Sequence, residues 1–104
     1  MEQSAEHILA CLSPAPSNAR IIHTAATMAR AFGCRFTALF VRTPSYTAMA
    51  EEDKARLRQH TLLAQELGAT VETVFGDDVS YQIAEYARLS GVSNILLVVS
   101  GVGI

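Results

Sequence analysis

Two patterns of apolar residues alternate along the chain. Short apolar runs, Ile8 to Leu12, Phe36 to Val41 with Thr37 its one polar residue, and Ile95 to Val99, fit strands buried on both faces. The segments between them repeat with helical spacing. From Asn18 to Phe32, the residues Ile21, Ile22, Ala25, Met28, Ala29 and Phe32 fall on one face, while Arg20, His23, Thr27 and Arg30 fall on the other. Gly33 is placed to end that helix in a left-handed turn. Thr43-Pro44-Ser45-Tyr46 breaks the pattern, and a loop is expected to about Ala48. A second helix follows, with Leu57, Ala64 and Leu67 as its buried stripe, Leu63 beside it and Gly68 as its stop. Its acidic front, Glu51-Glu52-Asp53, suits the positive end of the peptide dipole, and Glu52 stands one turn from Arg56, at ion-pair spacing. Thr70 to Phe75 alternates only in part, with Glu72 between Val71 and Thr73, which predicts a less buried strand at a sheet edge. Gly76-Asp77-Asp78 supplies a turn and an N-cap for a third helix, in which Val79, Ile83, Tyr86 and Ala87 share a face before Gly91 ends it.

Strands and helices in alternation, with continuous apolar strands, predict an α/β fold: a doubly wound parallel sheet joined by right-handed crossovers. The 104 residues suffice for one core, so residues 1–104 are expected to form a single domain. Ser100-Gly101-Val102-Gly103-Ile104 has no helix or strand after it, and the chain reads as a fragment of a longer one.

Composition narrows the function classes. Half of the residues are apolar and the net charge is −2, which argues against disorder and against a basic surface for a nucleic-acid polymer. The longest apolar run, residues 94–104, is too short to span a bilayer, and the N-terminus lacks the pattern of a signal peptide, so a cytoplasmic domain without membrane contact of its own is expected. Cys11 and Cys34 have no CxxC spacing, which points away from a disulfide framework and from zinc.

The chemistry centres on Ser13-Pro14-Ala15-Pro16-Ser17-Asn18, between the first strand and the first helix. Backbone N–H groups and short hydroxyls at a helix N-terminus favour an anion such as phosphate. The plainer alternative is that Ser17 only N-caps the helix while the prolines stiffen the approach. The loop has no glycine or lysine, so it is neither a dinucleotide fingerprint nor a P-loop, and Asp77-Asp78 reads as cap and dipole partner. His7, His23 and His60 are placed as solvent-facing or seam residues that share no metal site and no nucleophile. Tyr46 is a candidate for stacking on a ligand. No catalytic constellation is present, and the domain is expected not to be an enzyme.

The stretches His7 to Arg20, Thr24 to Ala29, Leu63 to Ala69, Gly76-Asp77-Asp78 and Tyr86-Ala87-Arg88 together resemble the universal-stress-protein fold, of adenine nucleotide alpha hydrolase-like type. The resemblance is nearer to the version carried in the cytoplasmic sensor region of KdpD-type potassium-responsive histidine kinases. It implies a strand order 3-2-1-4 with the fifth strand absent, and a parent kinase anchored in the membrane. Stand-alone ATP-binding members carry an aspartate where Ser13 stands, and a glycine-rich phosphate loop of which only Gly101-Val102-Gly103 is present. Some KdpD-type domains are similar to receptors for cyclic di-AMP with a pattern S-x-S, twenty residues, then F-T-A-x-Y; here Ser13, Ala15, Phe36, Thr37, Ala38 and Phe40 fall at that spacing, with Ala15 and Phe40 in place of a serine and the tyrosine. The plainer reading of Phe36 and Phe40 is that of core residues in a buried strand. With Ser17, Val41, Ser100 and Gly101 these form the candidate ligand set, for cyclic di-AMP or ATP. The function expected is a non-catalytic regulatory module of a two-component histidine kinase. The alternatives are a stand-alone ATP-binding stress protein and a pure interaction module. A homodimer, or pairing with another stress-protein subunit, is expected through the segment from Ile95 to Ile104.

Overall fold

β1 (Glu6–Cys11) runs between two parallel neighbours, and its residues His7, Ile8, Leu9 and Ala10 are all buried. The computed structural model describes residues 6–90 and the backbone of residues 94–98. On one side of β1 lies β2 (Arg35–Arg42), in register Ile8 with Phe36 and Ala10 with Ala38; on the other lies β4 (Asn94–Val98), with Ala10 opposite Val98. β3 (Thr70–Phe75) pairs along the outer side of β2, so the sheet reads β3-β2-β1-β4, all parallel. Residues 99–104 lie outside the described residues, and with them Ser100, Gly101 and every expectation about a strand after β4.

Burial on both faces explains the apolar runs. Ile8, Ala10, Leu12, Phe36 and Ala38 point to the face covered by α1 (Asn18–Phe32) and α2 (Glu51–Glu66), where they meet Ile22, Ala25, Leu57 and Ala64. Leu9 and Leu39, one residue out of step, point to the opposite face and meet Ile83 of α3 (Val79–Leu89). The first two crossovers thus place their helices on one face, and the third, which carries the chain back past β1, places its helix on the other. Gly33 closes α1 with φ 63°, a left-handed conformation that a side chain would strain. Asp78 caps α3 by accepting the Tyr81 N–H at 3.1 Å.

Three local expectations are corrected. Residues 44–48 form a 3-10 helix (Pro44–Ala48) and not an open loop; Thr43 stays extended, as the residue before a proline must, and Pro44 starts the turn. Arg56 reaches Asp53 at 3.1 Å, one residue short of the expected Glu52. His7 is neither solvent-facing nor at a seam: it is 1% exposed, and its Nε2 lies 2.7 Å from the Thr37 hydroxyl across the strand pair. Its Nδ1 is buried without a partner among the described residues.

A buried imidazole is costly to charge, and Arg35, its register partner, adds repulsion. Desolvation first, and Arg35 second, hold the His7 pKa below its ordinary 6.5. As pH falls, the unfolded chain therefore takes up this proton before the folded one. The His7 contribution to stability is complete above pH 6.5 and is lost as pH falls from there towards the lowered folded value. Urea midpoints measured at about pH 7.5 and about pH 5.5 will drop at the lower pH, and the drop will be smaller in His7→Gln, which keeps a donor for Thr37 but does not titrate.

Candidate functional site

The chain leaves β1 through Leu12, whose N–H donates to Leu39 O at 2.8 Å, and must turn at once into α1. Asn18, the first residue of α1 and fully buried, closes that turn from inside. Its Nδ2 donates to Cys11 O at 2.9 Å and its Oδ1 accepts the Ser13 N–H at 3.2 Å. The Ser13 hydroxyl accepts the Ala15 N–H at 3.2 Å, and Ala15 O accepts the Asn18 N–H at 2.9 Å. Side-chain bonds therefore replace the strand ladder over the residues where the ladder ends.

From α2, two side chains one turn apart hold the outside of the same loop. His60 Nδ1 donates to Ser13 O at 2.8 Å, which requires the proton on Nδ1, and Arg56 Nη1 donates to Pro14 O at 3.1 Å while also binding Asp53. His60 is 6% exposed, so this contact is a packed one. The Ser13–Asn18 turn is thus clamped by α1 below and α2 beside it.

A cavity of about 280 Å3 opens against this turn at the carboxyl ends of β1 and β2. Ser13, Phe40, Val41, Tyr46, Met49 and Ile83 are among its walls, so both faces of the sheet and the 3-10 helix contribute. Tyr46 is fixed there by an edge-to-face contact with Phe40 at 5.9 Å and by the Arg42 guanidinium 4.2 Å from its ring centre. No lysine or arginine lines the cavity, whereas α1 has no acidic residue in its first turn to oppose an anion. Cys11 also lines it, and burial pushes its thiol up to about 11, so it stays protonated and unreactive near neutral pH.

Of the sequence candidates, Ser13, Phe40, Val41 and Tyr46 meet at this cavity. Ala15 and Ser17 lie in the loop behind it, half-buried and exposed in turn. Phe36 and Ala38 are core residues beneath α1 and α2, and Thr37 is bound to His7 on the opposite face; burial deeper along β2 keeps all three out of the cavity. Ser17 makes no side-chain cap bond and has helical backbone angles, so it is not the cap that the plainer sequence alternative supposed. The sequence places Asn18 in the candidate stretch without its bonding role, and gives no site role to Arg56, His60 or Met49. A polar residue opening an otherwise apolar helix face was the available signal for Asn18, and the i,i+4 pair Arg56/His60 shows its role only once α2 is docked.

Among the described residues no group of three or more His, Cys, Asp or Glu is placed to hold a metal ion, and no helix is long and apolar enough to cross a membrane.

No family model matches the chain. The "Sensor protein KdpD" of Clostridium acetobutylicum is 37% identical to it over 94 residues, which are 90% of this chain and 10% of that protein. The KdpD sensor protein of Escherichia coli K12 is 28% identical over 90 residues, 86% of this chain and 10% of that protein. The chain spans about a tenth of the length of the curated relatives it matches. Among solved structures, a universal stress family protein of Burkholderia pseudomallei superposes with a TM-score of 0.65 at 20% identity, covering 93% of this chain and 84% of that one. An Archaeoglobus fulgidus universal stress protein in complex with dAMP gives 0.55 at 20% identity, covering 88% and 79%. A universal stress protein in complex with cAMP gives 0.55 at 18%, covering 91% and 98%.

Asn18→Ala would strand the Ser13 N–H and the Cys11 carbonyl, and is expected to cost about 2 kcal/mol in urea unfolding, whereas Ser17→Ala, which removes no cap bond, is expected to cost under about 0.5 kcal/mol. Equal costs would contradict this account of the turn.

Proposed function

We propose, for a chain that belongs to the universal-stress-protein-like domains of KdpD-type sensor proteins, that it binds an adenine nucleotide at the Ser13 turn and that occupancy of this site biases a histidine kinase carried elsewhere in the parent protein. The observation that carries the reading is the apolar cavity at the carboxyl ends of β1 and β2, set directly against a clamped turn at the N-terminus of α1. The base fits between Val41, Phe40 and Ile83, and the phosphate lies towards the Ser13 hydroxyl and the α1 N-terminus. The chain reverses its direction of travel across the sheet beside β1, and open parallel sheets bind ligands outside such switch points. The dAMP and cAMP complexes of two proteins of similar fold are consistent with a nucleotide of this class.

The role is regulatory and non-catalytic. The one thiol at the cavity is held protonated, and no nucleophile and base are brought together there among the described residues. A cavity of about 280 Å3 suits one nucleoside, so cyclic di-AMP would place one of its bases here and leave the other outside. ATP is the alternative ligand. The domain works in the cytoplasm beside the membrane that anchors its parent. It pairs with a second copy or another stress-protein subunit, for which the outer position of β4 in the described sheet is the support.

Calorimetry with AMP, ATP and cyclic di-AMP tests this. Ser13→Ala is expected to weaken the bound nucleotide by about 1 to 2 kcal/mol and Ala15→Ser to strengthen it, through one hydrogen bond to a charged group lost or gained. Val41→Phe, which fills the cavity, is expected to abolish binding while leaving the urea midpoint within about 1 kcal/mol of stability. No heat with any of the three, or affinities that ignore all three substitutions, would overturn the reading.

A further inference from the structure

A second cavity, of about 380 Å3, lies on the α2 side of the sheet and shares Leu12, Phe40 and Tyr46 with the lining of the first. It lies between α2, which gives it Leu57, Arg58, Thr61 and Leu62, and the β2–β3 edge of the sheet. Strand parity points Val71, Thr73 and Phe75 towards this face, beside Ala38, Phe40 and Arg42. α2 answers with Leu57 buried but Leu62 60% exposed, and Phe75 at the rim is 68% exposed. Apolar surface is therefore left uncovered around a hollow.

The charges at that hollow share one sign. Arg42 and Arg58 line it, and neither makes an ion pair among the described residues. Arg42 is oriented by two rings, with its guanidinium carbon 4.2 Å from the Tyr46 centre and 5.9 Å from that of Phe75. Stacking occupies the faces of a guanidinium and leaves its N–H edges able to take an oxyanion. Lys54, over the Tyr46 ring at 5.2 Å, is outside the lining and is paired with Glu51 at 3.7 Å, so the two arginines are the cations of the cleft. In a chain of net charge −2, these cations stand against an apolar cleft with no carboxylate in its lining among the described residues.

We infer that this cleft is a separate binding site for a small organic anion with an apolar body: Phe40, Leu57, Leu62 and Val71 take the hydrocarbon, and Arg42 and Arg58 take a carboxylate, sulfonate or phosphate. The site does not rest on the nucleotide reading, since it uses two arginines where the first cavity has no cation and lies on the opposite side of the Phe40–Tyr46 wall. That wall is common to both cavities, so a ligand on one side packs against the side chains that shape the other.

Two fluorescent probes with the same rings test the inference: anilinonaphthalene sulfonate, which carries the anion, and phenylnaphthylamine, which lacks it. Arg58 is exposed and anchors nothing else in the described fold, so Arg58→Gln should leave the urea midpoint unchanged. It is expected to weaken the sulfonate about tenfold, as should Arg42→Gln, the scale of one charge-assisted hydrogen bond. Phenylnaphthylamine should bind Arg58→Gln as it binds the parent, and Arg20→Gln on α1 should affect neither probe. Methyl spectra should place the sulfonate beside Leu62 and Val71. The inference is overturned if Arg58→Gln leaves the sulfonate unchanged, if both probes weaken equally, or if the shifted methyls are those of Leu39 and Val41. Because Ser13→Ala does not touch this cleft, sulfonate binding that survives it separates failure here from failure of the nucleotide site.

Discussion

The buried amide of Asn18 is the interaction on which the site depends. A parallel strand that ends against a helix leaves backbone groups without ladder partners at the point where the sheet should open to a ligand. Asn18 answers one carbonyl and one N–H, on Cys11 and Ser13, from a position with no solvent exposure. Leaving such groups unpaired costs about 1 to 3 kcal/mol each, so the turn has little freedom to adopt another shape. Ser13 consequently faces the cavity as a placed residue.

α2 extends that constraint outward. His60 and Arg56 hold the carbonyls of Ser13 and Pro14 from one helix face, so the turn cannot shift without breaking contacts to α2. The opposite end of the cavity is closed by the 3-10 helix, whose Tyr46 is gripped by Phe40, Arg42 and Lys54. A ligand against Ser13 and Tyr46 therefore touches two elements that both lead into α2, whose exposed flank carries Arg58 and Leu62. A contiguous set of packed contacts of this kind is the physical route by which occupancy of a site can alter a surface.

Much of the fold was legible because burial on both faces leaves an unambiguous mark. Ile8-Leu9-Ala10 and Phe36 to Leu39 had to be interior strands, Gly33 and Asp78 announced the helix boundaries, and Glu72 with Thr73 marked β3 as less buried. The site was legible only in part. Ser13, Phe40 and Val41 were found through strand ends and a resemblance, but spacing along β2 could not say that Phe36, Thr37 and Ala38 sit too deep, because depth depends on which strands and helices cover them. Histidine was misjudged for the same reason: His7 and His60 carry ordinary polar side chains in sequence, and only the cross-strand Thr37 and the docked Ser13 carbonyl make their burial tolerable. The Glu52–Arg56 expectation failed because a nearer acceptor, Asp53, and a tertiary one, Pro14 O, compete for the same guanidinium.

The central claim is that the clamped Ser13 turn and the cavity beside it form one nucleotide site. Titrating the isotopically labelled chain with AMP and following backbone amides tests it most directly. The account predicts saturable shifts at Ser13, Ala15, Val41 and Thr43, together with the Asn18 side-chain amide, and little change at the far end of the sheet around Gly33, Cys34 and Gly68. Shifts confined to that far end, or none at all with AMP or cyclic di-AMP, would contradict it.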